Sequence, residues 1–221
     1  MKTRRSAQAE LQRQPEAVRF DAAYYRKYYE NGRTAVSAQF EFQARARFIA
    51  AYSVYAGLPV RRILDAGCGM GQLRAPLLDM LPRASYTGLE VSEYLAQRFG
   101  WDHGPITTYK SAKPFDLVIC YDVLQYLDAP EATRAVANLG RLCQGALYFS
   151  ALTKEDWRDN CDQSRTDSNV HLRPGDWYRD RLTKYFIQAG AGMWIKRGAP
   201  LVVWEMEQAR YRGAKTPKIR G

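Results

Sequence analysis

The sequence predicts an α/β sandwich: a seven-stranded, mostly parallel sheet with an antiparallel last strand, preceded by a helical extension. Three observations lead there. Residues 60–64 form an apolar run with two Arg inside it, end in Asp65, and pass through Gly67, Gly69 and Gly71 into the amphipathic segment 72–81. That pattern reads as a buried strand, a tight turn and a helix. A second short strand, Tyr86-Thr87-Gly88-Leu89, ends in Glu90 nineteen residues after Gly71. Another buried strand, Phe115–Tyr121, is continuously apolar after Asp116 and ends in the polar pair Tyr121-Asp122.

Taken in order, residues 1–14 are polar and expected to be a mobile basic tail. Residues 15–30 read as a helix with Val18, Ala22, Tyr25 and Tyr29 recurring at three and four, and Asn31-Gly32 as its stop. A longer helix, 35–56, is closed by Gly57 and Pro59, so 15–57 forms a helical cap ahead of the main domain, 58–207. After the glycine turn Leu73, Leu77, Leu78 and Leu81 give a helix one face, with Pro76 shortening or kinking its first turn. Ser92 is placed to cap a short helix ending at Phe99. A brief third strand is expected at 106–109, with Asp102 and His103 in the loop before it. Asp128 and Glu131 are spaced as a capping box for the helix Ala129–Leu142, and 145–152 is a fifth strand. The polar stretch 153–176 is long for a simple connection and suits a substrate-binding flap. A helix carrying Trp177, Tyr178, Leu182, Tyr185, Phe186 and Ile187 follows, stopped by Gly190 and Gly192. Met193–Lys196 and 201–207 then read as a closing antiparallel hairpin. Residues 208–221 form a second mobile basic tail.

Composition narrows the function classes. The 221 residues are enough for one domain that buries about 70% of its unfolded surface. The net charge is +10, but residues 1–14 carry +3 of it and 208–221 carry +5, leaving +2 on the body. Basic tails of this kind either hold RNA, an anionic surface or an acidic protein, or only solubilise the chain. Cys68, Cys120, Cys143 and Cys161 are spaced 52, 23 and 18 apart, which matches no zinc or redox pattern. Buried thiols in a reducing compartment are the expectation, and with no apolar core after Met1-Lys2-Thr3-Arg4-Arg5 a cytoplasmic location. No membrane span is expected. A monomer or homodimer is expected.

The glycine spacing lacks the Gly-Lys-Ser/Thr ending of a phosphate loop and the further G-x-x-G arm of a dinucleotide fingerprint. An acid at the position of Glu90 can accept hydrogen bonds from two ribose hydroxyls. At these residues the sequence resembles the class I S-adenosylmethionine-dependent methyltransferases of the small-domain type. The family's first motif, apolar-apolar-Asp-x-Gly-x-Gly-x-Gly, is matched by 63–71; its second acid by Glu90; its fourth strand, FDLV with an apolar helix start, by 115–127. The resemblance covers about residues 60–150 by motif.

The resemblance implies a Rossmann-like fold, S-adenosylmethionine as methyl donor and S-adenosylhomocysteine as product. It implies cofactor contacts at Gly67, Cys68 and Gly69 in the turn, at Glu90 and Val91 by the ribose, and at Tyr121 and Asp122 near the methionyl or adenine moiety. Asp65 either binds the cofactor's amino group through water or only fixes the turn. The segment before the first strand folds in many relatives as a lid. On it Tyr28, Tyr29 and Arg33 either cover the methionine end, Arg33 facing its carboxylate, or pack the helix on the sheet. The acid that usually meets the adenine amino group after the third strand has no clear counterpart. Methyl transfer from a sulfonium needs alignment and at most a base, so neither a catalytic triad nor a metal cluster is required. The candidates for a base are Tyr126, where relatives often carry His, His171, Asp156 and Asp159. A small-molecule acceptor is the first expectation. An RNA or protein acceptor held by the tails, or a non-catalytic binding protein, are the alternatives.

Overall fold

The computed structural model describes residues 20–26 and 39–209. The expectations for residues 1–14, for Tyr28, Tyr29 and Arg33, and for the basic stretch from 210 onward lie outside the described residues. The elements are α1 (Ala22–Tyr25), α2 (Gln39–Tyr55), β1 (Arg62–Ala66), α3 (Arg74–Met80), β2 (Ser85–Glu90), α4 (Glu93–Phe99), β3 (Asp102–His103) and β4 (Phe115–Tyr121). A 3₁₀ turn (Leu124–Tyr126), α5 (Ala129–Leu142), β5 (Cys143–Ser150), α6 (Lys154–Asp159), α7 (Gly175–Leu182), β6 (Phe186–Gly190) and β7 (Met193–Lys196) follow.

The strands form one sheet in the order β3-β2-β1-β4-β5-β7-β6. β7 pairs antiparallel with both β5 and β6, so six strands run one way and β7 the other. The chain walks outward from β1 to β3 and returns to place β4 beside β1. A crevice therefore opens at the carboxyl ends of β1 and β4, the reversal point where ligands bind in open α/β sheets.

Neighbouring residues along the central strands feed opposite faces. Leu64 and Val118 join Leu139, Tyr178 and Leu182 under α5 and α7. Ile63, Leu117 and Ile119 join Phe42, Ile49 and Leu77 under α2 and α3. Burial on both faces explains why these strands read as continuous apolar runs. The two arginines lie where the chain enters β1: the backbone N–H groups of Arg61 and Arg62 donate to Asp116 Oδ2 at 2.8 and 2.9 Å.

Local signals held where side chains cap. Asp128 accepts the Glu131 N–H at 2.7 Å and starts α5 at the expected residue. Pro76 is the third residue of α3, where its missing N–H would have had no helical partner.

Three expectations are corrected. The third strand is Asp102–His103 and not 106–109. Ile106 instead turns into the core, and Asn138 Nδ2 holds the carbonyls of Ile106 and Tyr109. The helix carrying Trp177 ends at Leu182, so Phe186 and Ile187 belong to a strand. The glycines after it make a hairpin turn, since Ala191 and Gly192 both take positive φ, 46° and 83°, as a two-residue primed turn demands. The closing hairpin is thus β6–β7. Residues 201–207 form no strand, because β5 and β6 already occupy both edges of β7; Glu205–Glu207 is a 3₁₀ turn.

Candidate functional site

The glycine turn is pinned from two sides. The Gly67 and Cys68 N–H groups donate to Leu89 O at 2.7 and 3.1 Å, and the Gly69 N–H donates to Glu90 Oε2 at 2.8 Å. The end of β2 thereby shapes the turn that follows β1. Gly67 takes φ 78°, and a Cβ there would lie 2.3 Å from Val123 Cγ2, so its bareness serves packing. Gly69 takes φ 53° with nothing within 4 Å of an added Cβ. It faces open space, the condition for a ligand to approach the backbone.

That space is a cleft of about 540 Å³, counting its solvent-open part, lined among others by Phe42, Asp65, Gly69, Leu73, Tyr121 and Asp122. Of the sequence-derived candidates, Asp65, Gly67, Cys68, Gly69, Tyr121 and Asp122 therefore meet in one place. Val91 stands apart, exposed, its carbonyl 3.1 Å from a His103 ring nitrogen.

Asp65 is buried and accepts the Tyr86 hydroxyl at 2.6 Å. Burial pushes its carboxyl up to about 7; the Tyr86 hydrogen bond opposes the rise and Glu90 adds to it. Burial also pushes the Cys68 thiol up, with Asp65 and Glu90 adding to the shift, which makes it a poor nucleophile. Asp122 has φ 56°, an uncommon conformation for a non-glycine residue. Its carboxyl is raised by burial and pulled back by hydrogen bonds from Tyr121 and Gln125 and by the charge of Arg45.

Two buried polar atoms around Asp122, Arg45 Nη1 and Gln125 Oε1, have no hydrogen-bond partner among the described residues. An unpaired buried donor or acceptor costs about 1–3 kcal/mol, so each is a place where a ligand group gains. Arg45 Cζ lies over the Tyr121 ring, 3.9 Å from its centroid, and the Arg45 Nε donates to the Tyr148 hydroxyl at 3.3 Å. The sequence reading missed Arg45. Its signal was a cation on the apolar stripe of α2, between Phe42, Ala46 and Ile49.

Trp101 was missed too. Its Nε1 donates to Gly69 O at 3.0 Å, and its ring fills the space where a Cβ at Gly71 or Gly88 would come within 2.5 or 2.7 Å. Asp102, expected in a loop, stands on β3 beside the glycine turn and accepts the Tyr109 hydroxyl at 2.6 Å, which helps push that phenol up to about 12, after burial.

Tyr126 pairs with Tyr24, hydroxyl to hydroxyl at 2.9 Å, and the Tyr24 hydroxyl also reaches the buried Asp167 at 3.3 Å. His171 is held through its backbone N–H on Gln125 O at 2.7 Å. Burial, then the charge of Arg173, lowers its pKa, so its ring is neutral at pH 7. Asp156 is committed to a capping box with Thr153, and Asp159 to an ion pair with Arg158 at 2.6 Å. Neither is a good base. The expected flap is part helix, and the buried Arg173 staples it down, donating to Leu124 O, Leu127 O, His171 O and the Tyr178 hydroxyl.

Residues 64–145, from β1 into β5, match the family model described as a methyltransferase domain. No curated protein matches the chain in sequence. Solved structures of the same fold include magnesium protoporphyrin IX methyltransferase from Synechocystis PCC 6803 with bound SAM, at 20% identity and TM-score 0.53, over 80% of this chain and 92% of that one. DesVI of Streptomyces venezuelae aligns at 16% identity and TM-score 0.53, over 71% and 91%. An O-methyltransferase family protein from Burkholderia thailandensis aligns at 16% identity and TM-score 0.57, over 88% and 68%. The family match and the fold bear out the class I methyltransferase resemblance. No helix among the described residues is long and apolar enough to cross a membrane.

Proposed function

We propose that this chain, which carries a class I methyltransferase domain, transfers a methyl group from S-adenosylmethionine to a small-molecule acceptor. The observation that carries the reading is the turn between Asp65 and Glu90, whose Gly69 presents bare backbone to a cleft bordered by acids. The residues fit the cofactor. Arg45 Nη1 is an unpaired donor for a carboxylate. Asp122, which lines the cleft, and Gln125 Oε1 beside it are acceptors for an ammonium, so side chains around Asp122 would match both charges of an α-amino acid group. Asp65, when ionised, adds negative charge in the same cleft, and Glu90, at the end of β2, is the acid assigned here to the ribose hydroxyls. When bound, S-adenosylmethionine supplies an electrophilic methyl group on a sulfonium.

The chain's own contribution is to align, to exclude water and to receive a proton. Tyr126 and the neutral His171 are the proton-accepting candidates, Tyr126 being linked through Tyr24 to the Asp167 carboxylate. Residues 20–26, within the 15–57 cap expected from the sequence, contact the 58–207 domain through Tyr24, which bonds Tyr126 and reaches Asp167. The small-molecule reading draws on the nearly neutral body and on the porphyrin named for the Synechocystis relative. A cytoplasmic setting suits the four unpaired cysteines.

The test supplies the purified chain with methyl-labelled S-adenosylmethionine and a cell extract split into small-molecule, RNA and protein fractions. Label in the small-molecule fraction supports the proposal. Label only in RNA or protein overturns the acceptor class, and no transfer to any fraction counts against catalysis.

A further inference from the structure

We propose that Tyr25 is a plug on Glu90, a hydroxyl that occupies the ribose-binding acid and must yield for the cofactor to bind. The inference rests on the cofactor reading above. A carboxylate offers about four acceptor positions, and three on Glu90 are taken. Oε2 accepts the Gly69 N–H at 2.8 Å; Oε1 accepts the Ser92 N–H at 2.9 Å and the Tyr25 hydroxyl at 3.4 Å. The first two donors are backbone groups fixed by the glycine turn and by the start of α4. They cannot leave without undoing those elements. The third is a side chain, and its bond is the longest and so the weakest.

One acceptor position remains, whereas the vicinal hydroxyls of a ribose need two. Access points the same way. Glu90 is 3% exposed and Tyr25 covering it is 4% exposed, so a ligand hydroxyl reaches the acid only when Tyr25 moves.

The segment that carries Tyr25 is held at both ends. Ser92 Oγ donates to Phe20 O, and the neighbouring Tyr24 bonds Tyr126 and reaches Asp167. Phe20 packs edge-on against both Tyr24 and Tyr126, at 5.1 and 5.2 Å between centroids. One turn of chain thus reaches from Glu90 to Tyr126 and Asp167. Withdrawal of Tyr25 loosens the cover over Tyr126 as well, which favours cofactor entering before acceptor.

The experiment is calorimetric titration of the full chain, as wild type, Tyr25→Phe and Tyr24→Phe, with S-adenosylhomocysteine. Each is also melted without ligand. Tyr25→Phe removes the competing hydroxyl and is expected to bind about three- to tenfold tighter, the worth of one hydrogen bond, while its ligand-free melting point falls slightly. Tyr24→Phe leaves Glu90 alone but frees the same segment, and is expected to tighten binding by a smaller factor. Binding by wild type that Tyr25→Phe leaves unchanged or weakens overturns the plug alone. Binding that appears only in Tyr25→Phe supports it. Absence of binding in all three overturns the cofactor reading and the plug with it.

Discussion

The Tyr86 hydroxyl donates to Asp65 Oδ2 at 2.6 Å, linking strand β2 to an acid that lines the cleft. Burial holds that acid at about 7 despite the bond. Asp65 therefore changes charge within the working pH range. An ammonium in the cleft is attracted only to its ionised form, so affinity for S-adenosylhomocysteine should rise between pH 6 and pH 8. In Tyr86→Phe the opposing bond is gone, and the rise should move up by roughly one pH unit. Calorimetry across pH reads both; a flat profile contradicts the assignment.

The same acid sets a stability trend of opposite sign. Folded Asp65 keeps a proton that the unfolded chain gives up, so its contribution is present at low pH, below the ordinary carboxylate value. It is lost as pH rises through about 7. Asp65→Asn should therefore melt higher than wild type at pH 8, with a cost on the order of a few kcal/mol relieved. The advantage should narrow by pH 5. Equal melting points at pH 8 would count against a raised folded-state pKa.

Two glycines two residues apart should respond differently. A methyl at Gly67 meets Val123 at 2.3 Å and strains φ 78°, so Gly67→Ala should lose about 2–4 kcal/mol of stability, with Val123→Ala recovering part. Gly69→Ala has room and should lose only about 1–2 kcal/mol from its φ of 53°. Its affinity for cofactor should fall about tenfold or more, a loss of about 1.4 kcal/mol or more. Chemical denaturation and calorimetry on the same samples separate the two effects.

Much of this was legible in the sequence, and the boundary is physical. The alternate glycines, Glu90 and Asp122 were readable because tight turns and strand ends confine residue choice locally. Asp128 and Ser92 were readable because a cap is made within three residues. Trp101 was not, because its partners, Gly69 and Gly88, lie 32 and 13 residues away and no local pattern links them. Arg45 sits on an apolar stripe, and only the sheet packed against it buries its Nη1. The G-A-G after Ala189 reads equally as a helix stop or a hairpin turn until β7 is known to pair with β6.

Trp101 should act on the cofactor loop through one bond. Trp101→Phe keeps an aromatic ring under Gly71 and Gly88 but removes the donor to Gly69 O. Affinity should fall about two- to tenfold, the worth of one hydrogen bond. The melting point should change by only a few degrees, since most of the packing remains. Unchanged affinity would leave Trp101 a packing residue only.

Arg173 should be among the costlier positions in the region after β5. Arg173→Met keeps bulk over Trp177 but strands the Leu124, Leu127 and His171 carbonyls in a buried setting. About 3 kcal/mol or more of stability should go, because several buried acceptors are left unpaired. Hydrogen exchange should quicken in residues 124–127 and 153–173. A shift under about 1 kcal/mol would mean those carbonyls find other donors.

The central claim is that S-adenosylmethionine binds in the cleft that Gly69 faces. Equilibrium titration of wild type and Gly69→Val with S-adenosylmethionine, each checked for fold by circular dichroism, tests it most directly. Saturable one-site binding by wild type at about micromolar Kd is expected, and none by a folded Gly69→Val. No binding by folded wild type, or equal binding by both, would contradict it.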